Sequence, residues 1–306
     1  MTPLDLVATL YASFFVRADE WIDRYQLPLG RWVDQGVRWA NDNIGWLFDA
    51  IKWPIAQLLD STEWLLQVVP WYVVVLAVGA LALYLKDWKT SVSFMALLVF
   101  MGLLTDDLWR FAMTTVAQIL TAVVICVIIG IPVGIWAAKN DRVESSVRPI
   151  LDAMQTIHPF IYLLPVAFFF GIGKVPGTIA TVIFALPPMV RLTNLGIRQV
   201  PKETVEAANA FGSTGRQTLR EVQLPLARPA IMAGLNQTLM LSLSMVVIAA
   251  IIGAGGLGLE VYAGLERLNI GQAFVGGIGI VLLAMVLDRL TQGLGEKAPG
   301  VRHKAD

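Results

Sequence analysis

The chain has few of the residues that soluble catalytic and binding sites use. Only 15% of its 306 residues are charged, against roughly 25% in an ordinary soluble domain. A single cysteine, Cys126, excludes a disulfide framework and a multi-thiolate metal site. The two histidines, His158 and His303, offer little for zinc or an acid–base relay. Lys and Arg number 23, as do Asp and Glu, and this neutral balance argues against general nucleic-acid binding.

Hydrophobic residues, by contrast, make up 56% of the chain, which is more than a soluble fold of this size hides. A bilayer crossing requires roughly 20 apolar helical residues. We therefore predict an all-α integral membrane protein, and the first sixteen residues, which carry no Lys or Arg, argue against a cleavable secretory signal. Seven segments are candidate spans: 68–85, 91–105, 111–138, 153–170, 174–192, 228–252 and 272–290. Gly and Pro inside them are tolerated in membrane helices.

Basic residues are divided unevenly between the two sides of the predicted membrane. One set of loops and the C-terminal tail hold fifteen Lys and Arg, whereas the opposite loops hold Arg110, Lys174 and Arg267. Because cytoplasmic loops carry the excess, we predict a cytoplasmic C-terminus and an extracytoplasmic N-terminus, the latter reversing if 91–105 does not cross. The fifteen are Lys86, Lys89, Lys139, Arg142, Arg148, Arg191, Arg198, Lys202, Arg216, Arg220, Arg228, Arg289, Lys297, Arg302 and Lys304.

Residues 1–67 carry a tryptophan stripe. Trp32, Trp39, Trp46 and Trp53 recur every seven residues, which places their indoles on one side of a helix. Pro28 and Pro54 are expected to divide this region into short helices. Tryptophan favours the headgroup layer, so we predict helices lying along the membrane surface. A small soluble bundle with the stripe as its core is the alternative.

The longest predicted cytoplasmic loop, 193–227, has the signals of two short helices. Pro201 suits a first helical turn and Gly212 a left-handed C-terminal cap. Thr214 and Gln217 have capping-box spacing, which predicts a second helix over about 215–222. Pro229 is expected to open the next span. Composition alone would also allow a surface hairpin that merely joins two spans.

Specific residues of this loop resemble the EAA signature of ABC importer permeases. That signature reads EAA, three residues, Gly, nine residues, Ile, one residue, Leu-Pro. Six positions match it over twenty residues, and a valine replaces the Ile. The residues that would contact an ATPase are Glu206, Ala207, Ala208, Gly212, Val222, Leu224 and Pro225.

The resemblance implies a type I ABC importer permease fold with a five-helix core and extra N-terminal helices. The core would occupy 111–295, after two peripheral helices in 68–110, with a cytoplasmic tail at 296–306. It implies no cofactor in this chain, because a partner ATPase would bind ATP and magnesium. Expected partners are two ATPase copies, a second copy of this chain, an extracytoplasmic substrate-binding protein and membrane lipid, but no nucleic acid.

Three further stretches, at 151–201, 223–258 and 276–295, resemble permeases that import glycine betaine and proline betaine, and related permeases carry choline or carnitine. Such a chain would be a transport subunit of the bacterial inner membrane and not an enzyme. Polar residues inside spans are candidates for lining the path, although hydrogen bonding between helices explains them equally well. They are Gln155, Thr156, His158, Tyr162, Asn236, Gln237, Ser242 and Ser244.

Other functions lack their signals. The sequence has no GxxxxGK[ST] phosphate loop. The GxGxxG pattern at 253–258 ends a span and not a strand, so we interpret it as helix packing or a turn. A secondary transporter driven by an ion gradient, the main alternative, would require midplane carboxylates and an inverted repeat. A membrane-embedded enzyme would require a catalytic cluster, and none is visible.

Overall fold

The computed structural model describes residues 28–105 and 107–296, and all regular structure within them is helical. Residues 1–27 of the predicted tryptophan-rich segment, His303 and the rest of the tail after residue 296 lie outside these residues. The helices are α1 (Leu29–Val68), α2 (Trp71–Leu85), α3 (Trp88–Leu104), α4 (Leu108–Lys139), α5 (Asp141–Thr156), α6 (Pro159–Phe170), α7 (Lys174–Arg198), α8 (Lys202–Ala210), α9 (Gly215–Gln217), the π-helical turn π1 (Thr218–Gln223), α10 (Leu224–Ala250), α11 (Gly256–Glu266) and α12 (Ile270–Glu296).

Four helical stretches in the described chain are long and apolar enough to cross a membrane: Leu108–Lys139, Lys174–Arg198, Gly215–Ala250 and Ile270–Gly295. They contain three of the seven predicted spans and all but the last two residues of a fourth, 228–252. Two bent helix pairs raise the number to at most six, and α3 is a shorter apolar helix. These are the predicted spans whose apolar runs are longest.

The predicted span 153–170 is wrong as a single helix. Helix α5 ends at Thr156, α6 begins at Pro159, and the two are bent by 100°. Proline disfavours helical conformation in the residue before it, and His158 is extended, with φ −60° and ψ 135°. Its ring nitrogen Nδ1 then accepts a hydrogen bond from the backbone N–H of Phe160 at 3.4 Å. The apolar composition of 153–170 concealed this break.

Small residues allow the core helices to approach closely. Helices α4, α7 and α10 pack on one another, and a Cβ atom added to Gly134 of α4 would lie 2.8 Å from the carbonyl oxygen of Val190. At Gly196 of α7 it would lie 2.7 Å from the Cβ of Ala230 on α10. In lipid the hydrophobic effect does not drive helices together, so the dispersion energy of such close backbone contacts stabilises their association. A larger side chain at either glycine would force these helices apart.

Prolines lie inside the long helices, as the sequence predicts. Pro132 lies in α4, and Pro187 and Pro188 lie in α7. The expectation that Pro229 opens a span is wrong, because α10 begins at Leu224 and contains that proline. Pro54 likewise does not divide α1, which instead has a non-helical residue at Ile44, with φ −123° and ψ 17°.

The chain divides into two compact units, with the boundary between Leu47 and Phe48. In the first, the described residues are the helical segment 28–47, and the tryptophan stripe is on its surface: Trp32 is 54% exposed, Trp39 63% and Trp46 70%. These indoles are not the core of a bundle within this unit's described residues. In the second unit, Trp53 is also exposed.

A buried carboxylate fastens the end of α1 to the core. Glu63 is 7% exposed, and its Oε1 accepts hydrogen bonds from Lys174 Nζ at 2.6 Å, Thr114 Oγ1 at 2.8 Å and Gln67 Nε2 at 2.8 Å. We call these four residues the clamp. They join α1 to α4 and to the first residue of α7, and they border a cavity of about 410 Å³ with Arg110. Sequence patterns gave no sign of the clamp, because its members lie far apart along the chain.

Candidate functional site

The candidate ATPase-contact residues lie on one bent segment, residues 201–225, which we call the elbow. Its first arm is α8, and its second arm is α9 followed by π1. The second arm continues without interruption into α10, so that Gly215–Ala250 forms one long helical stretch. The prediction of a separate helix ending before Pro225 is therefore wrong. The elbow is the end of a long core helix and not a free hairpin.

Gly212 makes the bend between the arms. Its φ is +86°, in the left-handed region that glycine adopts without strain. The backbone N–H of Ser213 donates to the carbonyl of Ala208 at 3.1 Å, and that of Gly212 donates to Asn209 at 2.9 Å. This pair of bonds is the Schellman motif, which satisfies carbonyls at the end of a helix. The predicted C-terminal cap is confirmed.

Thr214 begins the second arm. Its Oγ1 accepts from the backbone N–H of Gln217 at 3.4 Å, and the Gln217 side chain accepts from the backbone N–H of Thr214 at 2.9 Å. The structure thus contains the predicted capping box. Two exposed backbone donors are satisfied by a pair three residues apart, which is why local sequence was enough to find it.

The π-helical turn carries the second arm past Pro225. The backbone N–H of Leu224 donates to the carbonyl of Leu219, five residues earlier. An α-helical turn would bring a proline ring against the carbonyl four residues before it, and the wider turn relieves that crowding. The proline that suggested a helix end in the sequence is instead accommodated inside a continuous helix.

The elbow presents its motif residues to its surroundings. Glu206, Ala207, Gly212 and Pro225 are exposed, and the other three motif residues, Ala208, Val222 and Leu224, are partly buried. Sequence reasoning missed Phe211, which is 93% exposed beside the bend. An aromatic residue directly before a cap glycine is a local signal that would have found it. The ring leaves an apolar surface at the bend that a partner could cover.

A second missed feature joins the arms. Thr218, which is 4% exposed, donates from Oγ1 to Asn209 Oδ1 at 3.1 Å. Both residues border a cavity of about 570 Å³ that Glu206, Lys139 and Arg198 also line.

An ionic ladder lies next to the elbow, at the end of α7. Arg198 donates to Asp141 at 2.7 Å and to the carbonyl of Ala137 at 2.8 Å, and it pairs with Glu144 at 2.9 Å. Nearer the middle of α7, Arg191 pairs with Asp152 at 2.5 Å. The ladder fastens α5 and the end of α4 to the helix from which the elbow extends.

The candidate path residues of the first group surround the α5–α6 bend. Gln155 accepts from Arg191 at 2.6 Å, and Thr156 donates to the carbonyl of Asp152 within its own helix. His158 is exposed and caps α6. Tyr162 packs with apolar side chains, and its buried hydroxyl has no hydrogen-bond partner among the described residues. Gln155 thus makes the contact between helices that was the alternative to a path-lining role.

The second group lies on α10. Asn236 accepts from Thr291 of α12 at 2.8 Å, again between helices. Ser242 is fully buried and bonds to the carbonyl of Thr238. Gln237 and Ser244 are exposed. Seven residues apart, they lie on one side of the helix, so they are the members of the set best placed to face a path or another subunit.

The glycine-rich stretch at 253–258 is a turn with close packing, as interpreted from the sequence. Gly253, Gly255 and Gly256 have positive φ, and a Cβ atom on Gly258 would collide with the carbonyl oxygen of Val246. No strand precedes it in the described chain. Among the same residues, no group of three or more His, Cys, Asp and Glu could hold a metal ion.

Comparison with known proteins identifies the family. Residues 130–297 match the sequence-family model of the binding-protein-dependent transport system inner membrane component. The glycine betaine/proline betaine transport system permease protein ProW of Escherichia coli (strain K12) is 47% identical over 269 residues, which cover 88% of this chain and 75% of that protein. The glycine betaine/carnitine transport permease protein GbuB of Listeria monocytogenes serotype 1/2a (strain 10403S) is 46% identical over 274 residues, which cover 89% and 97%.

The fold also has a solved counterpart. A chain of the MetNI methionine ABC transporter, in an inward-facing conformation, aligns with a TM-score of 0.53 and 25% identity over 62% of this chain and 93% of that one. The type I ABC importer permease fold predicted from the sequence is thereby confirmed. Membership implies, in general terms, an ATPase and a substrate-binding protein as partners. The chain therefore belongs to the binding-protein-dependent transport system inner membrane components, as a multi-pass ABC importer permease of the betaine-uptake group and not an enzyme.

Proposed function

We propose that this permease carries a quaternary ammonium compound, glycine betaine or proline betaine or a relative such as choline, and that its elbow couples transport to a separate ATPase. The substrate class rests on the two permeases named for glycine betaine, proline betaine and carnitine, which are 46–47% identical to this chain. In this division of labour, ATP and magnesium bind to the ATPase, and this chain supplies the path.

The observation that carries the coupling role is the geometry of the elbow. Its motif carboxylate, Glu206, and small Ala207 are exposed beside a tight bend, so another protein can approach the backbone closely there. Phe211 adds 93% of its surface to the same face, and aromatic side chains are frequent anchors of protein interfaces. Because Gly215–Ala250 is continuous, a partner that moves the elbow would also move a membrane-spanning helix.

The proposed assembly contains two copies of this chain, two ATPase subunits and an extracytoplasmic binding protein. In this proposal Gln237 and Ser244, which are exposed on one side of α10, line the path where the copies meet. The other candidates also belong to the proposed path, but Gln155 and Asn236 already bond to neighbouring helices, which by itself accounts for their polar side chains. The elbow end is assigned to the cytoplasm because most basic loop residues are on that side.

A pair of charge reversals on one arm tests the coupling role. Glu206→Lys is expected to weaken ATPase binding at least about tenfold, since hot-spot residues contribute more than about 1.4 kcal/mol, and to abolish uptake of radiolabelled glycine betaine into vesicles. Glu203→Lys makes the same charge change on the same arm, outside the motif, and serves as the control. Gly212→Pro is expected to abolish uptake with membrane insertion intact.

The measurements are uptake, and binding of the ATPase that co-purifies with the wild-type chain, identified by mass spectrometry and by ATP hydrolysis. Normal uptake in the Gly212→Pro variant, or equal losses in Glu203→Lys and Glu206→Lys, would contradict the coupling role. ATP hydrolysis by the isolated chain would contradict the proposed division of labour. Competition by unlabelled choline, carnitine and proline betaine then ranks the substrates.

A further inference from the structure

The two arms of the elbow are bonded to each other through side chains. In the described chain, the hydrogen bond from Thr218 Oγ1 to Asn209 Oδ1 is the one side-chain hydrogen bond between α8 and the second arm, and it spans nine residues at 3.1 Å. The other elbow bonds have different roles: the Schellman pair ends α8, and the capping box begins α9. The arms also pack against each other, and this bond adds a directional polar link to that packing.

One end of this bond is buried. Its donor, Thr218, is 4% exposed, whereas its acceptor, Asn209, is exposed. A buried donor that loses its partner retains the cost of desolvation, which strengthens the preference for the bonded state. The cost of leaving the Thr218 hydroxyl unpaired therefore favours the angle between the arms at which this bond forms.

The second arm is also firmly set into the core. Thr218 begins π1, which continues into α10 without a break. Further along, α10 packs on α7 at close range: a Cβ atom on Gly234 would lie 3.2 Å from the Cβ of Leu192, and one on Gly196 would lie 3.2 Å from the Cβ of Ala227. A force applied to α8 thus has a rigid route to these helices, provided the two arms do not flex against each other.

We propose that Asn209 and Thr218 are positioning residues that make the elbow a rigid bracket. Their bond transmits displacement of α8 to α10, so ATPase movement becomes movement of the transport path. This inference rests on the proposed coupling role but adds to it, since neither residue belongs to the EAA positions. It separates two properties of the elbow: the motif face binds the partner, and the Asn209–Thr218 bond transmits the motion.

The test compares Thr218→Val, which keeps the shape of threonine without its hydroxyl, with Thr218→Ser, which keeps the hydroxyl. Each variant is reconstituted into liposomes with the co-purifying ATPase and the binding protein, and glycine betaine uptake and ATP hydrolysis are measured together. Uptake per ATP is expected to fall about fivefold in Thr218→Val, an effect typical of one lost hydrogen bond. ATPase affinity should stay within about twofold of wild type, and Thr218→Ser should behave as wild type.

Asn209→Ala provides an independent arm of the test, because Asn209 is exposed and its replacement creates no cavity. It should reproduce the loss of uptake per ATP, and the double variant Asn209→Ala/Thr218→Val should be no worse than either single variant, since the same bond is removed. Should Thr218→Val fail to insert, Asn209→Ala alone decides the matter.

Equal behaviour of Thr218→Val and Thr218→Ser, additive losses in the double variant, or unchanged uptake per ATP in Asn209→Ala would each overturn the bracket. A loss of uptake that merely follows a loss of ATPase binding would do the same. These results are distinguishable from failure of the coupling role itself. If Glu206→Lys leaves ATPase binding intact, the coupling role fails; if it abolishes binding and uptake per ATP is normal in the Asn209 and Thr218 variants, only the bracket fails.

Discussion

The elbow and the clamp are both built from polar residues, but their contacts differ in range and in exposure. The elbow bonds join residues within nine positions of each other, and most of its motif face is open. In the clamp, Glu63 bonds to Thr114 and Lys174, which are 51 and 111 positions away, and it is 7% exposed. The elbow is thus assembled by its own local sequence, whereas the clamp exists only after the helices have packed.

This difference assigns partner binding and structural stability to different regions of the chain. Residues of the clamp satisfy one another and should contribute mainly to the stability of the helix arrangement. Residues on the elbow's exposed face are not covered by other parts of the chain, and they should contribute mainly to binding a partner. Substitutions in the two regions should therefore change different measurements, and three of them test that separation.

The largest effect is expected at Glu63. Glu63→Leu leaves Lys174, Gln67 and Thr114 without their shared acceptor, which should lower the free energy of unfolding by about 2–3 kcal/mol. Thermal unfolding in detergent measures the loss, and Glu266→Leu, at an exposed glutamate, is the control. ATPase binding by the folded fraction should be unchanged. An equal loss in the control, or impaired ATPase binding with normal stability, would contradict the structural role.

Phe211 should behave in the opposite way. Phe211→Ala is expected to weaken ATPase binding by about tenfold, since an aromatic anchor contributes about 1.4 kcal/mol or more. Thermal stability should not change, because the ring is 93% exposed. Phe274→Ala removes a ring that is 66% exposed on α12 and is expected to affect neither measurement. Normal binding by Phe211→Ala would show that the elbow docks without this side chain.

The smallest effect is expected at Thr214, an exposed residue of the elbow that also caps its second arm. Thr214→Ala removes an N-terminal cap and should lower local stability by about 1 kcal/mol, seen as faster hydrogen exchange over residues 214–217. Thr214→Ser keeps the hydroxyl and should restore protection. Unchanged exchange in Thr214→Ala would mean that continuity with α10 alone holds the second arm.

Sequence reasoning found the features that depend on near neighbours or on composition. The four longest apolar runs became long helices, and the cap at Gly212 and the capping box at Thr214 formed where the residues predicted them. Sequence reasoning failed at several prolines, because a proline can either end a helix or lie inside one. Pro159 lies at a break between helices, after α5 ends at Thr156. Pro54, Pro225 and Pro229 lie within helices, and the difference depends on which neighbouring groups replace the lost backbone bonds.

The sequence by itself determined that this chain is a helical membrane protein with a bent segment of the ABC permease type, because apolar length and turn chemistry act over a few residues. Only the tertiary structure decided that the elbow continues into α10 and that Glu63 joins three helices. Those features arise from side chains brought together by packing. Their energies depend on burial and on distances that no spacing along the chain encodes.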